Sequence, residues 1–186
     1  QRQPAIDDIA DEYVEHMASL GGRCDFAADI AVPFTLRVIM SIFGVPREDE
    51  ALMLQLTQGL FGAADPEYLG DFSDPLALIT DTIHTFESYF DELTAARRAH
   101  PTDDLATVIA NGQVDGAPLG EIERLWYYII VATAGHDTTS FSSSGGLEQL
   151  LRHPDQLAAW QADPSLAVNA TEEIIRWTSP VRSFFR

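Results

Sequence analysis

At 186 residues, 46% hydrophobic and 22% charged, the chain has the composition of one ordinary globular domain. Its formal net charge of −18, with eleven Arg and no Lys, disfavours a nucleic-acid partner, which needs a basic face. One cysteine, Cys24, excludes an internal disulfide framework, and the acidic stretch from Gln1 to Asp11 is unlike a secretory leader.

Taken in order, the apolar residues fall at helical spacing almost throughout. Ile6, Ile9, Ala10, Tyr13, Val14, Met17 and Leu20 predict a first helix, ended by Gly21-Gly22. Cys24-Asp25-Phe26 reads as a loop entry holding a buried or half-buried free thiol. Phe34 to Phe43 is an apolar helix closed by Gly44-Val45-Pro46, and Arg47 to Glu50 is a polar helix start ahead of Leu52, Leu54, Leu56, Leu60 and Phe61. No apolar run is expected to reach the roughly 18 residues of a membrane span. Gly62 and Pro66 open a connection that lasts to Pro75. From there Leu78, Ile79, Thr82, Ile83, Phe86, Tyr89, Phe90 and Leu93 mark a long amphipathic helix, with His84 on its surface.

Asp103-Asp104 caps a short helix through Ile109. Asn111 to Gly120 is a turn-rich link in which Pro118 is placed to start the next helix. That helix is expected from Leu119 to Leu151, about 50 Å if continuous at 1.5 Å per residue, long enough to cross a domain. A short helix follows His153-Pro154 and ends at Asp163-Pro164, and a last one carries Glu172, Glu173 and Arg176. Alternating strand patterns are almost absent, no repeat or internal boundary is visible, and the fold class is mainly α.

The middle of the long helix is poorly suited to being helical. Ala134-Gly135-His136-Asp137-Thr138-Thr139 combines a Gly, costing about 1 kcal/mol against Ala, with two weak helix formers. Thr138 can also turn its hydroxyl onto the Ala134 carbonyl. A bend or bulge there would make a gap lined by a missing side chain, an acid and an alcohol. Local rules that fail in mid-helix often mark function, although a long core helix with a harmless Gly has the same spacing.

These residues resemble the central-helix signature of the cytochrome P450 family, the haem-thiolate monooxygenases. Two further motifs follow in order. Glu173-Ile174-Ile175-Arg176 is similar to the family's E-x-x-R helix, and Ser179-Pro180-Val181-Arg182-Ser183-Phe184-Phe185-Arg186 is similar to the stretch that runs past the haem. The match extends back through Gly44-Val45-Pro46 and Leu54 to Gln58. It is closest to a bacterial soluble branch that includes terpineol-hydroxylating members.

The resemblance implies haem b (iron protoporphyrin IX), dioxygen as co-substrate, a small apolar substrate such as a monoterpenoid, a ferredoxin-type electron donor and a cytoplasmic location. It implies catalytic roles for Asp137 and Thr138, with Thr138 hydrogen-bonding oxygen and Asp137 relaying protons. Ala134, Gly135 and Thr138 would lie at the haem face, and Arg186 would take a propionate through bidentate geometry. Val181 and Ser183 would line the substrate side, with Arg182 beside them. Glu173 and Arg176 share a helix face and can pair, and in the family that pair is buried and structural.

Residues 1–186 would then form an incomplete single domain, lacking the first helices and the Cys-ligand haem loop. The chain alone is accordingly expected to be inactive. Other metal chemistry is disfavoured, since His16, His84, His100, His136 and His153 form no helical pair. The competing reading is a helical small-molecule-binding module without redox chemistry.

Overall fold

Helical periodicity translates into nine α-helices among the described residues, which are 3–63 and 74–181 of the computed structural model. Contacts group the chain into two compact units, Gln1–Thr35 with Gly135–Arg186, and Leu36–Ala134.

The second unit is built on an aromatic core. It holds most of helix α2 (Val32–Phe43), α3 (Glu50–Phe61), α4 (Pro75–Ala99), α5 (Leu105–Ala110) and α6 (Glu121–Ala134). The α4 helix starts as Pro75 and its neighbours dictate: Asp74 accepts a hydrogen bond from the Ala77 N–H at 2.9 Å, with Pro75 in the first turn. Its inward face carries Leu78, Thr82, Phe86, Phe90, Leu93 and Thr94. Phe90 stacks on Tyr128 of α6 with centroids 4.7 Å apart, and on Phe86 at 5.5 Å. Phe43, Met40 and Met53 complete this fully buried cluster. The buried Tyr128 hydroxyl donates to the Ala106 carbonyl and accepts from Thr94, so no polar atom is stranded there.

A polar lock closes one side of that unit. Arg97 Nε bonds the Asp104 carboxylate at 2.7 Å while its Nη2 reaches the Gly44 carbonyl at 2.6 Å. Asp104 also caps α5 through the Thr107 N–H and accepts from the Thr102 hydroxyl. Burial pushes the Asp104 carboxyl up, but these hydrogen bonds outweigh it and hold the group below its ordinary value. Gly44 has φ +91°, and a Cβ there would run into the Asp104 carboxylate, so only glycine suits the position.

In the first unit, α7 (Asp137–Arg152) packs against α8 (Pro154–Ala162), α9 (Ala167–Thr178) and a π-helical turn, Phe26–Ala31. Helix α1 (Gln3–Ser19) packs on that turn through the buried Ile9 side and sets Tyr13 edge-on against Phe34. Gly145 and Gly146 are what bring α9 close. A Cβ at Gly146 would stand 2.6 Å from Ile174 Cγ2, and one at Gly145 would stand 2.8 Å from Thr178 Cγ2.

Three sequence expectations need correction. The long helix is present from Glu121 to Arg152, and its interruption at Gly135-His136 falls where a bend or bulge is expected. Pro118 does not start it: Ala117–Pro118 is a strand paired with Gln113–Val114, turned by Asp115 at φ 52° and Gly116 at φ 80°. The helix begins after Gly120 instead, whose N–H bonds Glu123 three residues on.

Cys24 is exposed, because it precedes the Asp25 cap in the turn that follows Gly21-Gly22. Finally, the π-turn runs straight into α2, so Phe26–Phe43 is one helical run of 18 residues, long and apolar enough to cross a membrane by length and composition. Asp29, Thr35 and Arg37 break the run when residues are read singly, but not when hydropathy is averaged. Its Leu36, Met40 and Phe43 sit in the protein core, and Arg37 pairs with Glu50 at 2.6 Å.

Candidate active site

The interruption in the long helix follows from its residues. Gly135 and His136 form a turn between α6 and α7, with His136 at the N-cap of α7 (φ −99°, ψ −67°) and no side-chain cap bond. Hydroxyls bond backward on both flanks: Thr133 donates to the Ile129 carbonyl at 2.7 Å and Ser143 to the Thr139 carbonyl at 2.8 Å. Ser140 donates to the Asp137 carbonyl. Side chains that compete for backbone carbonyls on each side of a glycine leave the helix weakest at that glycine.

Asp137 is the first residue of α7, in the turn where free amide groups favour a negative charge. Its side chain is 50% exposed, so the carboxylate meets solvent. Thr138 is half-buried and lies on the wall of a cavity of about 490 Å³. Thr139, Ser142 and Ser143 continue that wall along α7. The facing wall is apolar, with Ile174 and Ile175 of α9, and Pro180 beyond it. Helical spacing anticipates Ser142, four residues after Thr138 and thus on the same face. Sequence reasoning missed Ile174 and Ile175 as lining residues because it read that helix only for its ion pair.

Ala134 is exposed at the end of α6 and Gly135 is half-buried. Val181 is 44% exposed and does not line the cavity, whereas its neighbour Pro180 does. Arg182, Ser183 and Arg186 lie outside the described residues. Glu173 and Arg176 form a bidentate pair, Nε to Oε2 and Nη2 to Oε1, each at 2.7 Å. Within these 186 residues the Glu173 and Arg176 side chains are 60% and 64% exposed. The Arg176 bond holds the Glu173 carboxyl below its ordinary value.

The cavity pairs an apolar wall with a hydroxyl wall. Its aliphatic wall suits a hydrocarbon ring system, and its hydroxyl wall offers hydrogen bonds at one edge. No cluster of three or more His, Cys, Asp or Glu is placed to hold a metal among the described residues, and Cys24 does not line the cavity.

No protein-family model matches the chain. Among curated proteins it is similar to cytochrome P450-terp of a Pseudomonas species, 40% identical over 184 residues, which is 96% of this chain and 43% of that protein. It is also similar to steroid C26-monooxygenase of Mycolicibacterium smegmatis, 36% identical over 89% of this chain and 40% of that protein. Among solved structures, CYP108D1 from Novosphingobium aromaticivorans matches with a TM-score of 0.83 at 45% identity, covering 97% of this chain and 41% of that one. The chain therefore spans less than half the length of the relatives it matches.

Proposed function

This chain belongs to the cytochrome P450 family, and from that premise we propose that the whole protein is a haem-dependent monooxygenase that hydroxylates a small apolar molecule. The observation that carries this is the acid and alcohol side by side in the first turn of α7. There Asp137 faces solvent and Thr138 opens onto the cavity. The overall conversion takes substrate, dioxygen, two electrons and two protons to a hydroxylated product and water.

Haem b, when bound, supplies the oxygen and one-electron chemistry. The chain's own residues handle position and protons. Ala134 and Gly135 lack bulk, so a flat group can approach the backbone at the turn. The Thr138 hydroxyl hydrogen-bonds oxygen, and the Asp137 carboxylate exchanges protons between solvent and that hydroxyl.

Val181 and Ser183 belong to the substrate side in this reading, and Arg186 to a haem propionate. Glu173 and Arg176 serve structure. In this reading Cys24, which does not line the cavity, is not the thiolate ligand. A monoterpenoid substrate, a ferredoxin-type donor and a cytoplasmic location complete the reading. They rest on the likeness to cytochrome P450-terp and its bacterial relatives.

Thr138→Ala in the full-length protein tests it, with electrons from a surrogate ferredoxin system and a panel of monoterpenoids. Oxygen consumption is expected to continue while product per oxygen falls and hydrogen peroxide rises. An unchanged product yield would remove Thr138 from the mechanism.

A further inference from the structure

His136 is the least explained side chain in the molecule. It is 1% exposed, and neither ring nitrogen has a hydrogen-bond partner among the described residues. Unsatisfied buried polar groups are rare and are kept against a cost. His136 stands at the N-cap of α7, where Ser, Asp or Asn would serve the helix, yet it makes no cap bond. Its Nδ1 nevertheless lies 2.9 Å from Asp137 Oδ1, within reach but out of line for a hydrogen bond. The Asp137 side chain is half-exposed and can rotate, whereas the imidazole is enclosed.

We propose that His136 is a positioning residue for Asp137: its Nδ1–H donates to the carboxylate and holds it in one rotamer. A small turn of the Asp137 side chain brings Oδ1 into line with the ring. The fixed, buried donor then limits where a mobile acid at the helix start can rest. Such a bond to an ionised acceptor also fixes the tautomer, with the proton on Nδ1. This inference rests on the proton-relay role proposed above for Asp137.

The test uses the full-length protein labelled with 15N-histidine, in a diamagnetic form. The expected spectrum shows the His136 proton on Nδ1. In Asp137→Ala that resonance shifts and the proton moves toward Nε2. A proton on Nε2 in the wild type, or a spectrum unchanged in Asp137→Ala, would overturn the proposal.

Turnover gives the second reading. Loss of one charge-assisted bond in His136→Leu should lower the ratio of product to peroxide about tenfold. His136→Gln, which keeps a donor, should restore most of it. Equal ratios in the two variants would contradict the positioning role. If the wild type itself shows no oxygenase activity, the proposed function fails, while the nitrogen spectrum still decides the His136–Asp137 bond.

Discussion

Asp137 and Thr138 show how far one residue's chemistry can be traced. The acid has solvent on one side, and its neighbour opens onto the cavity. General acid–base groups contribute about 10²–10⁴-fold, so Asp137→Asn should lower product formation by about 10²-fold. The loss should appear in turnover more than in substrate binding, and an unchanged rate would count against a proton relay.

Asp104 tests the scaffold at the same scale. It is 8% exposed and takes hydrogen bonds from Arg97, Thr102 and Thr107, so Asp104→Asn should cost about 2 kcal/mol at neutral pH. Its carboxyl sits below its ordinary value in the folded state. The stability it contributes is therefore complete above the unfolded-chain value of about 3.9 and is lost as pH falls through the folded value. The denaturation gap between wild type and Asp104→Asn should accordingly close below about pH 4. A gap that widens there would reverse the sign. Gly44→Ala should be worse, at about 3 kcal/mol, since it adds left-handed strain to a displaced Asp104.

Helices were largely legible in the sequence, because an apolar stripe three and four residues apart needs only local information. Pro75, and Asp103-Asp104 before Leu105, marked two helix starts that the structure repeats. The failures have local causes too. Asp115-Gly116 is a strong hairpin signal, yet strands of two residues are too short to alternate. The π-turn at Phe26–Ala31 depends on Asp25 and Asp29 bonding each other's backbone neighbourhood, which hydropathy does not register.

Gly145-Gly146 is a contact surface between α7 and α9. A methyl at Gly146 would meet Ile174 Cγ2, which is fixed to a branched Cβ and cannot swing far. Gly146→Ala gains about 1 kcal/mol of helix propensity and loses about 1–3 to overpacking. A net loss of about 1 kcal/mol is expected. Adding Ile174→Ala should relieve the clash, so that the pair costs less than the sum of the singles. A stabilising Gly146→Ala would show that the helices are not held at this distance.

Of the candidate site, the Ala134–Thr139 hexapeptide and the Glu173/Arg176 pair were readable from residue order, since each motif is short and local. The cavity was not, because it needs residues as far apart in sequence as Thr138 and Ile174 to face each other. The burial of His136 was equally invisible, as no local pattern records what encloses a ring.

Across the whole chain, apolar surface is left in the open. Ile122, Trp126, Tyr127 and Ile130 lie exposed along α6, opposite a face already buried, and Ile175 and Trp177 are exposed on α9. With these side chains exposed, the isolated 186-residue chain is expected to bind a hydrophobic dye, to self-associate and to show no turnover. A monomeric, dye-silent, active chain would contradict that.

The central claim is that these residues are part of a haem-thiolate monooxygenase. The most direct measurement is the absorption spectrum of the full-length protein, reduced and exposed to carbon monoxide. The account predicts the red-shifted Soret band of thiolate-bound haem. A folded full-length protein without that band would contradict it.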